Sequence, residues 1–188
     1  MTVSTPVGLL DAAIVQARPV LAAIGQADLH VPTPCSAWDL RALLNHLAGR
    51  AILSEHAARG IAVTEFPEAA GDLLGPDAGA SVLGRLADAA AAWREASLEQ
   101  QCVTPLGPMP AAGLVTFHAQ DVFVHAWDIA RALGIDATFD SALTQTMLAL
   151  HHQTISDELR AAFFAPLVPI PEDAPALDRL VGFLGRHP

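Results

Sequence analysis

The stretch LVTFHAQDVFVHAWDIARALG, residues 114–134, is almost wholly apolar and has the spacing of a buried α-helix. Four polar side chains recur inside it at intervals of three, four and three residues. At about 100° per residue they fall within roughly 80° of one another and form one stripe along the helix. Because a core-facing seam is normally apolar, the pattern predicts a polar site on the buried face. The four residues are His118, Asp121, His125 and Asp128.

Asp121 needs a compensating positive charge, because burying an ionised carboxylate costs several kcal/mol unless it is paired or binds a cation. An arginine, a protonated histidine or a divalent cation could supply that charge. Arg131 lies well round the helix from Asp121, whereas His125 is four residues away and can bind the same ion from one helix. A third ligand must come from another helix. His46, at the edge of the apolar stripe of the second helix, is the candidate.

Helical spacing also dominates the rest of the chain, and the alternation typical of strands is scarce. Ser36 and Asp39 match an S-x-x-D capping box and predict the start of the second helix. The composition of residues 61–79 predicts a surface connection, and the prolines of 103–113 exclude a helix there. We expect a single all-α domain, residues 1–188, built as a four-helix bundle with additional short C-terminal helices. The predicted helices cover residues 7–24, the capping box to about 60, 80–96, 111–133 with Gly134 as C-cap, 141–161 and 175–184.

Composition excludes several functional classes. The net charge of −10 and the presence of only ten basic side chains argue against a nucleic-acid partner. The chain has neither lysine nor tyrosine, which removes a phosphate-binding or Schiff-base lysine and a tyrosine acid. No apolar run is long enough for a membrane span, and residues 1–16 lack the features of a signal peptide. We therefore expect a cytoplasmic protein with no membrane partner.

Three segments in this order resemble the DinB-like metal-binding family related to the mycothiol-dependent maleylpyruvate isomerase. They are TPCSAWDLRALLNHLAG (33–49), DVFVHAWDIARALG (121–134) and DAPALDRLVGFLGRHP (173–188). The resemblance implies a four-helix bundle with a metal held by His46, Asp121 and His125. Relatives have glutamate or histidine at the acid position, so Asp121 is a departure. His118, one turn earlier, could substitute for it or add a fourth bond.

The resemblance implies a thiol-dependent transferase or isomerase, in which the metal activates mycothiol or another small thiol to attack an electrophilic substrate. The ligand set suits Zn²⁺, with Ni²⁺, Fe²⁺ and Mn²⁺ as alternatives. His118, Asp128 and Arg131 are expected to line the pocket or orient the ligands. Two other functions stay open: a metal-dependent hydrolase with Asp128 or His118 as base, and a non-catalytic, stress-related metal-binding protein. The alanine and leucine content also leads us to expect a homodimer.

Overall fold

The computed structural model describes residues 5–188, which are mostly helical, so the all-α prediction is confirmed. The described part of the chain forms two compact units, one ending at Ile135 and the other covering Asp136–Pro188. That the whole chain acts as a single domain stays a prediction. The helices are α1 (Pro6–Ala22), α2 (Leu40–Ala58), α3 (Ala78–Glu95), α4 (Ala111–Leu133), α5 (Ser141–Thr154), α6 (Asp157–Phe163) and α7 (Ala176–Phe183).

The first unit is a bundle of the four long helices α1 to α4. Helix α1 packs against α3 and α4, and α2 also packs against these two helices. Their apolar stripes form a core whose fully buried members include Leu10, Leu44, Leu86, Phe123 and Ile129. Because α2 and α4 are in contact, side chains at the same level along the bundle axis on these two helices can meet inside the bundle.

The capping box predicted for α2 is wrong. The N-cap is Asp39 itself, whose carboxylate accepts a hydrogen bond from the Ala42 backbone at 2.8 Å. Before it, Pro32 pairs with Asp39 in an isolated β-bridge, and the Trp38 amide donates to the Cys35 carbonyl. The chain is therefore still turning at Ser36, and the helix begins three residues later than a serine cap would require.

The proline-rich segment before α4 is non-helical, as expected, but it folds into a β-hairpin that the sequence analysis did not predict. Strands β1 (Gln101–Thr104) and β2 (Gly107–Pro110) pair antiparallel. Gly107 adopts a φ of 100°, which favours glycine, and the Thr104 hydroxyl donates to its carbonyl at 2.8 Å. The hairpin runs directly into α4, whose C-terminal cap Gly134 has the predicted left-handed conformation.

Residues 61–79 do more than connect two helices on the surface. They contain a short 3₁₀ helix, Pro67–Ala70, that packs against α2. The Asn45 side chain holds the following segment, donating to the Gly71 carbonyl at 3.0 Å and accepting from the Leu73 amide at 2.7 Å. We call residues 61–77 the clamped loop.

In the second unit, the helix predicted over residues 141–161 is interrupted. Ile155 is extended, and the Ser156 hydroxyl accepts from the Leu159 amide and caps a new helix, α6. Helix α7 agrees with its prediction to within one residue at each end and packs against α5. No helix in the described part of the chain is long and apolar enough to span a membrane. The homodimer and the cytoplasmic location stay predictions.

Helices α1 and α3 approach so closely that Gly79 has no room for a side chain. A Cβ at this position would lie 2.1 Å from the Leu21 carbonyl oxygen, a backbone atom of α1. We expect Gly79→Ala to destabilise the bundle by about 1–3 kcal/mol, because the two helix backbones would have to move apart. Urea unfolding would measure this change.

Gly84 provides the matched control on the same helix. A Cβ there meets nothing within 4 Å, so Gly84→Ala should stabilise the protein by about 0.5–1 kcal/mol through helix propensity alone. Equal effects of the two substitutions would contradict close α1–α3 packing.

Candidate metal centre

Helices α2 and α4 bring His46, Asp121 and His125 together inside the bundle. The Nε2 atoms of both histidines lie 3.3 Å from Oδ1 of Asp121. One ligand atom from each residue lies within 4.8 Å of the other two. The polar stripe of α4 supplies the acid and one imidazole, and His46 enters from α2, as the helical spacing predicts.

The arrangement fits a small divalent cation. Two ligand atoms bound tetrahedrally at about 2.0–2.1 Å from one ion are roughly 3.3–3.4 Å apart, close to the nitrogen–oxygen distances seen here. Oδ2 of Asp121 is buried and makes no hydrogen bond, although it lies 3.3 Å from Nε2 of His46. A buried carboxylate oxygen without a donor is expected at a site whose charge is balanced by a cation.

Each histidine also faces a carboxylate on its far side. Nδ1 of His125 is 2.8 Å from Asp128, which is completely buried, and Nδ1 of His46 is 3.5 Å from Glu68. An Nδ1–H that donates to a carboxylate leaves Nε2 free to bind a metal and fixes the ring orientation. Both rings therefore present the same nitrogen to Asp121.

Trp38 packs against the two imidazoles from outside. Its ring centroid lies 4.5 Å from that of His46 and 5.7 Å from that of His125. The indole holds both rings in place and shields them from solvent. The packing of this tryptophan therefore falls on two of the candidate ligands.

Asp121 and His125 shift each other's pKa values in opposite directions. Burial alone would raise the pKa of Asp121, but the charges and hydrogen bonds of His46 and His125 hold it well below the ordinary value. Burial alone would lower the pKa of His125, but the opposing effects of Asp121 and Asp128 raise it to about 9. In the absence of a cation, an imidazolium at His125 therefore balances the buried acid at neutral pH.

The remaining predicted pocket residues lie at different distances from this group. His118 is buried and lines a pocket next to Asp121, but it does not belong to the three-residue cluster. Burial lowers the pKa of His118 to about 4, so its ring is neutral. Arg131 is exposed, with its guanidinium 5.6 Å from the ring of Trp127. It lies outside the cluster.

Sequence reasoning missed Glu68 and Arg50. Glu68 comes from the clamped loop, accepts from Arg50 at 2.9 Å and faces His46. The Arg50 guanidinium also lies 3.8 Å above the ring of Phe66. One signal was present in the sequence, which has a glycine, Gly49, inside the predicted second helix. In the structure, a Cβ at this position would lie 2.1 Å from the Glu68 carboxylate. A glycine in a helix interior indicates such a close approach.

A pocket opens beside the cluster, and the space between its walls, counted together with its open mouth, is about 410 Å³. Asp121 and His118 line it from α4, Arg50 from α2 and Leu106 from the hairpin turn. The walls are mainly apolar. A small molecule in this pocket would therefore lie against the acid of the candidate metal group.

Residues 10–130 match the family described as the mycothiol maleylpyruvate isomerase N-terminal domain. The chain belongs to this family. The isomerase N-terminal domain family is metal-binding in general, and in the described part of this chain His46, Asp121 and His125 form a group that could hold a metal ion.

Two proteins of Mycobacterium tuberculosis, from strains CDC 1551 / Oshkosh and ATCC 25618 / H37Rv, are similar over most of their length. Each is named only as an uncharacterised protein and is 31% identical over 170 residues, which are 89% of this chain and 90% of theirs. The crystal structure of the mycothiol-dependent maleylpyruvate isomerase superposes with a TM-score of 0.59 at 24% identity. The match covers 77% of this chain and 66% of that one, and it shows a shared fold.

Removing one ligand should abolish stable metal binding. We expect His46→Ala and Asp121→Ala to weaken cation affinity by more than the roughly 10- to 100-fold typical of losing an outer partner. Elemental analysis after dialysis would measure bound metal. His56→Ala on the same helix, about 15 Å further along, is the control and should retain it. Full metal content in His46→Ala would show that the three-ligand group is wrong.

The stability of chelator-treated protein should fall as the pH rises from about 6.5 to about 9. The folded pKa of His125 is raised from 6.5 to about 9. Its contribution is therefore complete below about 6.5 and is lost as the pH passes through about 9. Urea unfolding across this range would measure the slope, which His125→Gln should flatten and His56→Gln should keep. An unchanged slope in His125→Gln would exclude this linkage.

Proposed function

We propose that the chain is a divalent-metal-dependent, thiol-using transferase or isomerase. The observation that carries the proposal is the convergence of one carboxylate and two imidazoles from α2 and α4 beside an apolar pocket. Membership of the isomerase N-terminal domain family supports it. The ligands we assign are His46, Asp121 and His125.

The protein groups have distinct roles in this proposal. Asp121 provides the negative charge and an oxygen, while His46 and His125 provide neutral Nε2 atoms. Asp128 and Glu68 accept the Nδ1 protons and keep the rings in that tautomer. Three protein ligands leave a coordination position open, which is typical of catalytic rather than structural sites. One oxygen and two nitrogens suit Zn²⁺, with Ni²⁺, Fe²⁺ and Mn²⁺ as alternatives.

A bound divalent cation supplies one kind of chemistry here: it lowers the pKa of a thiol at the open position until the thiolate predominates. The thiol we assign is mycothiol or another small thiol. Cys102 does not supply the nucleophile, because it is buried in β1 and burial raises the pKa of its thiol. The pocket then accepts the electrophile next to the thiol.

The reaction balances without an oxidant or reductant. The sulfur forms a bond to the β-carbon of an unsaturated carbonyl compound, the electron pair of the C=C bond moves towards the carbonyl, and the thiol proton ends on the α-carbon. If the adduct is released as the product, the reaction is a transfer. If the adduct rotates about its Cα–Cβ bond, which was the C=C bond, and then loses the α-proton and the thiolate, the C=C bond forms again and the reaction is an isomerisation.

Cobalt-loaded protein tests the proposal directly. Adding mycothiol should produce a near-ultraviolet thiolate-to-cobalt charge-transfer band, and an α,β-unsaturated ketone should then be isomerised or converted to its mycothiol adduct. Asp121→Ala should show neither effect. Cys35→Ser should show both, because the half-exposed Cys35 is not the attacking thiol in this scheme.

Two results would favour the open alternatives. A metal-loaded protein that gives no band with mycothiol and no turnover would be a non-catalytic metal-binding protein. Ester hydrolysis without thiol would indicate a metal-dependent hydrolase. Of the two bases predicted for that reaction, Asp128 is completely buried and bonded to His125, whereas His118 lines the pocket.

A further inference from the structure

His118 differs from the other polar groups of the pocket wall in having no hydrogen bond. Its side chain is 3% exposed, and both of its ring nitrogens are buried without a hydrogen-bond partner. A buried polar group without a hydrogen-bond partner is energetically unfavourable. The ring lines the pocket beside Asp121.

The neighbouring polar groups are engaged within the protein. Ser54 accepts from the Trp93 indole at 2.8 Å, and the Thr104 hydroxyl donates to the Gly107 carbonyl at 2.8 Å. Asp121 belongs to the candidate metal group. Of the described residues that line the pocket, His118 is therefore the polar group best placed to recognise a ligand.

Among the described residues that line the pocket, none outside the candidate metal group offers an anionic ligand a free positive charge. Arg50 is the only arginine among the described lining residues, and its guanidinium already pairs with Glu68 at 2.9 Å and stacks on Phe66. A carboxylate on the ligand would have to compete with Glu68 for this cation. The rest of the wall is aromatic or aliphatic and includes Leu106, Met109 and Phe117.

We propose that the pocket binds an uncharged carbonyl compound with an apolar body, whose carbonyl oxygen accepts a hydrogen bond from the His118 ring. This inference rests on the proposed function, because it assigns such a compound as the electrophile of that reaction. A neutral imidazole carries one N–H and can make this bond without a change of charge. His118 is then a specificity-determining residue of the site.

Calorimetry with metal-loaded protein and no thiol tests this assignment. The probe is 4-phenylbutan-2-one, a saturated ketone that cannot add a thiol at a C=C bond. Propylbenzene, which has a methyl group in place of the acetyl group, is the reference compound without a carbonyl. His118→Leu should weaken ketone binding about fivefold or more, since it removes the donor. Propylbenzene should bind the variant at least as tightly as the native protein. His118→Gln, which keeps an N–H donor, should bind the ketone within about threefold of native.

Three results would overturn the inference. They are unchanged ketone affinity in His118→Leu, an equal loss for ketone and propylbenzene, and tighter binding of 3-phenylpropanoate, which has a carboxylate in place of the acetyl group, than of the ketone. The thiolate-to-cobalt band is read separately. If the band is absent but ketone binding depends on His118, the proposed function fails and the assignment of the pocket stands. If the band forms but ketone binding ignores His118, the reverse holds.

Discussion

The buried carboxylate of Asp121 is the constraint around which the centre of the bundle is built. Its two oxygens lie between imidazoles from α2 and α4, and one of them makes no hydrogen bond. An uncompensated charge at this depth would cost several kcal/mol. The two histidines, and the carboxylates behind them, are arranged so that the acid meets either imidazolium or a cation. The same buried charge that is costly in an apolar core creates a group that could hold a metal ion.

Different parts of the first unit support the fold and position the side chains of the candidate metal centre. The long helices set the separation of His46 from Asp121 through their apolar contacts. The clamped loop adds the outer carboxylate Glu68, and its backbone is held by the amide of Asn45. The indole of Trp38, just before α2, covers the imidazoles. The geometry of the candidate metal centre therefore depends on short segments as well as on the bundle core.

Helical periodicity was sufficient to predict the class of fold, the length of α4 and the meeting of Asp121 with His125, because these depend on neighbours three or four residues apart. The same periodicity placed His46 at the edge of the apolar stripe of α2 and made it a candidate third ligand, which the family resemblance also implied. Glu68 could not be predicted in this way, since a loop residue reaches the site through long-range packing. The hairpin and the break at Ile155 were missed because helical periodicity does not specify how short segments pair, and because Ser156 was not recognised as an N-cap.

The absence of a side chain at Gly49 separates the position of helix α2 from the position of the carboxylate that faces His46. Because the loop carboxylate occupies the space that a Cβ would fill, a larger residue here would push away the flexible end of Glu68 and leave the helix backbone in place. A substitution at this single position would therefore alter how Glu68 orients the His46 ring, while the helix that carries His46 stays in place. The orientation of a side chain and the position of its helix can in this way change independently.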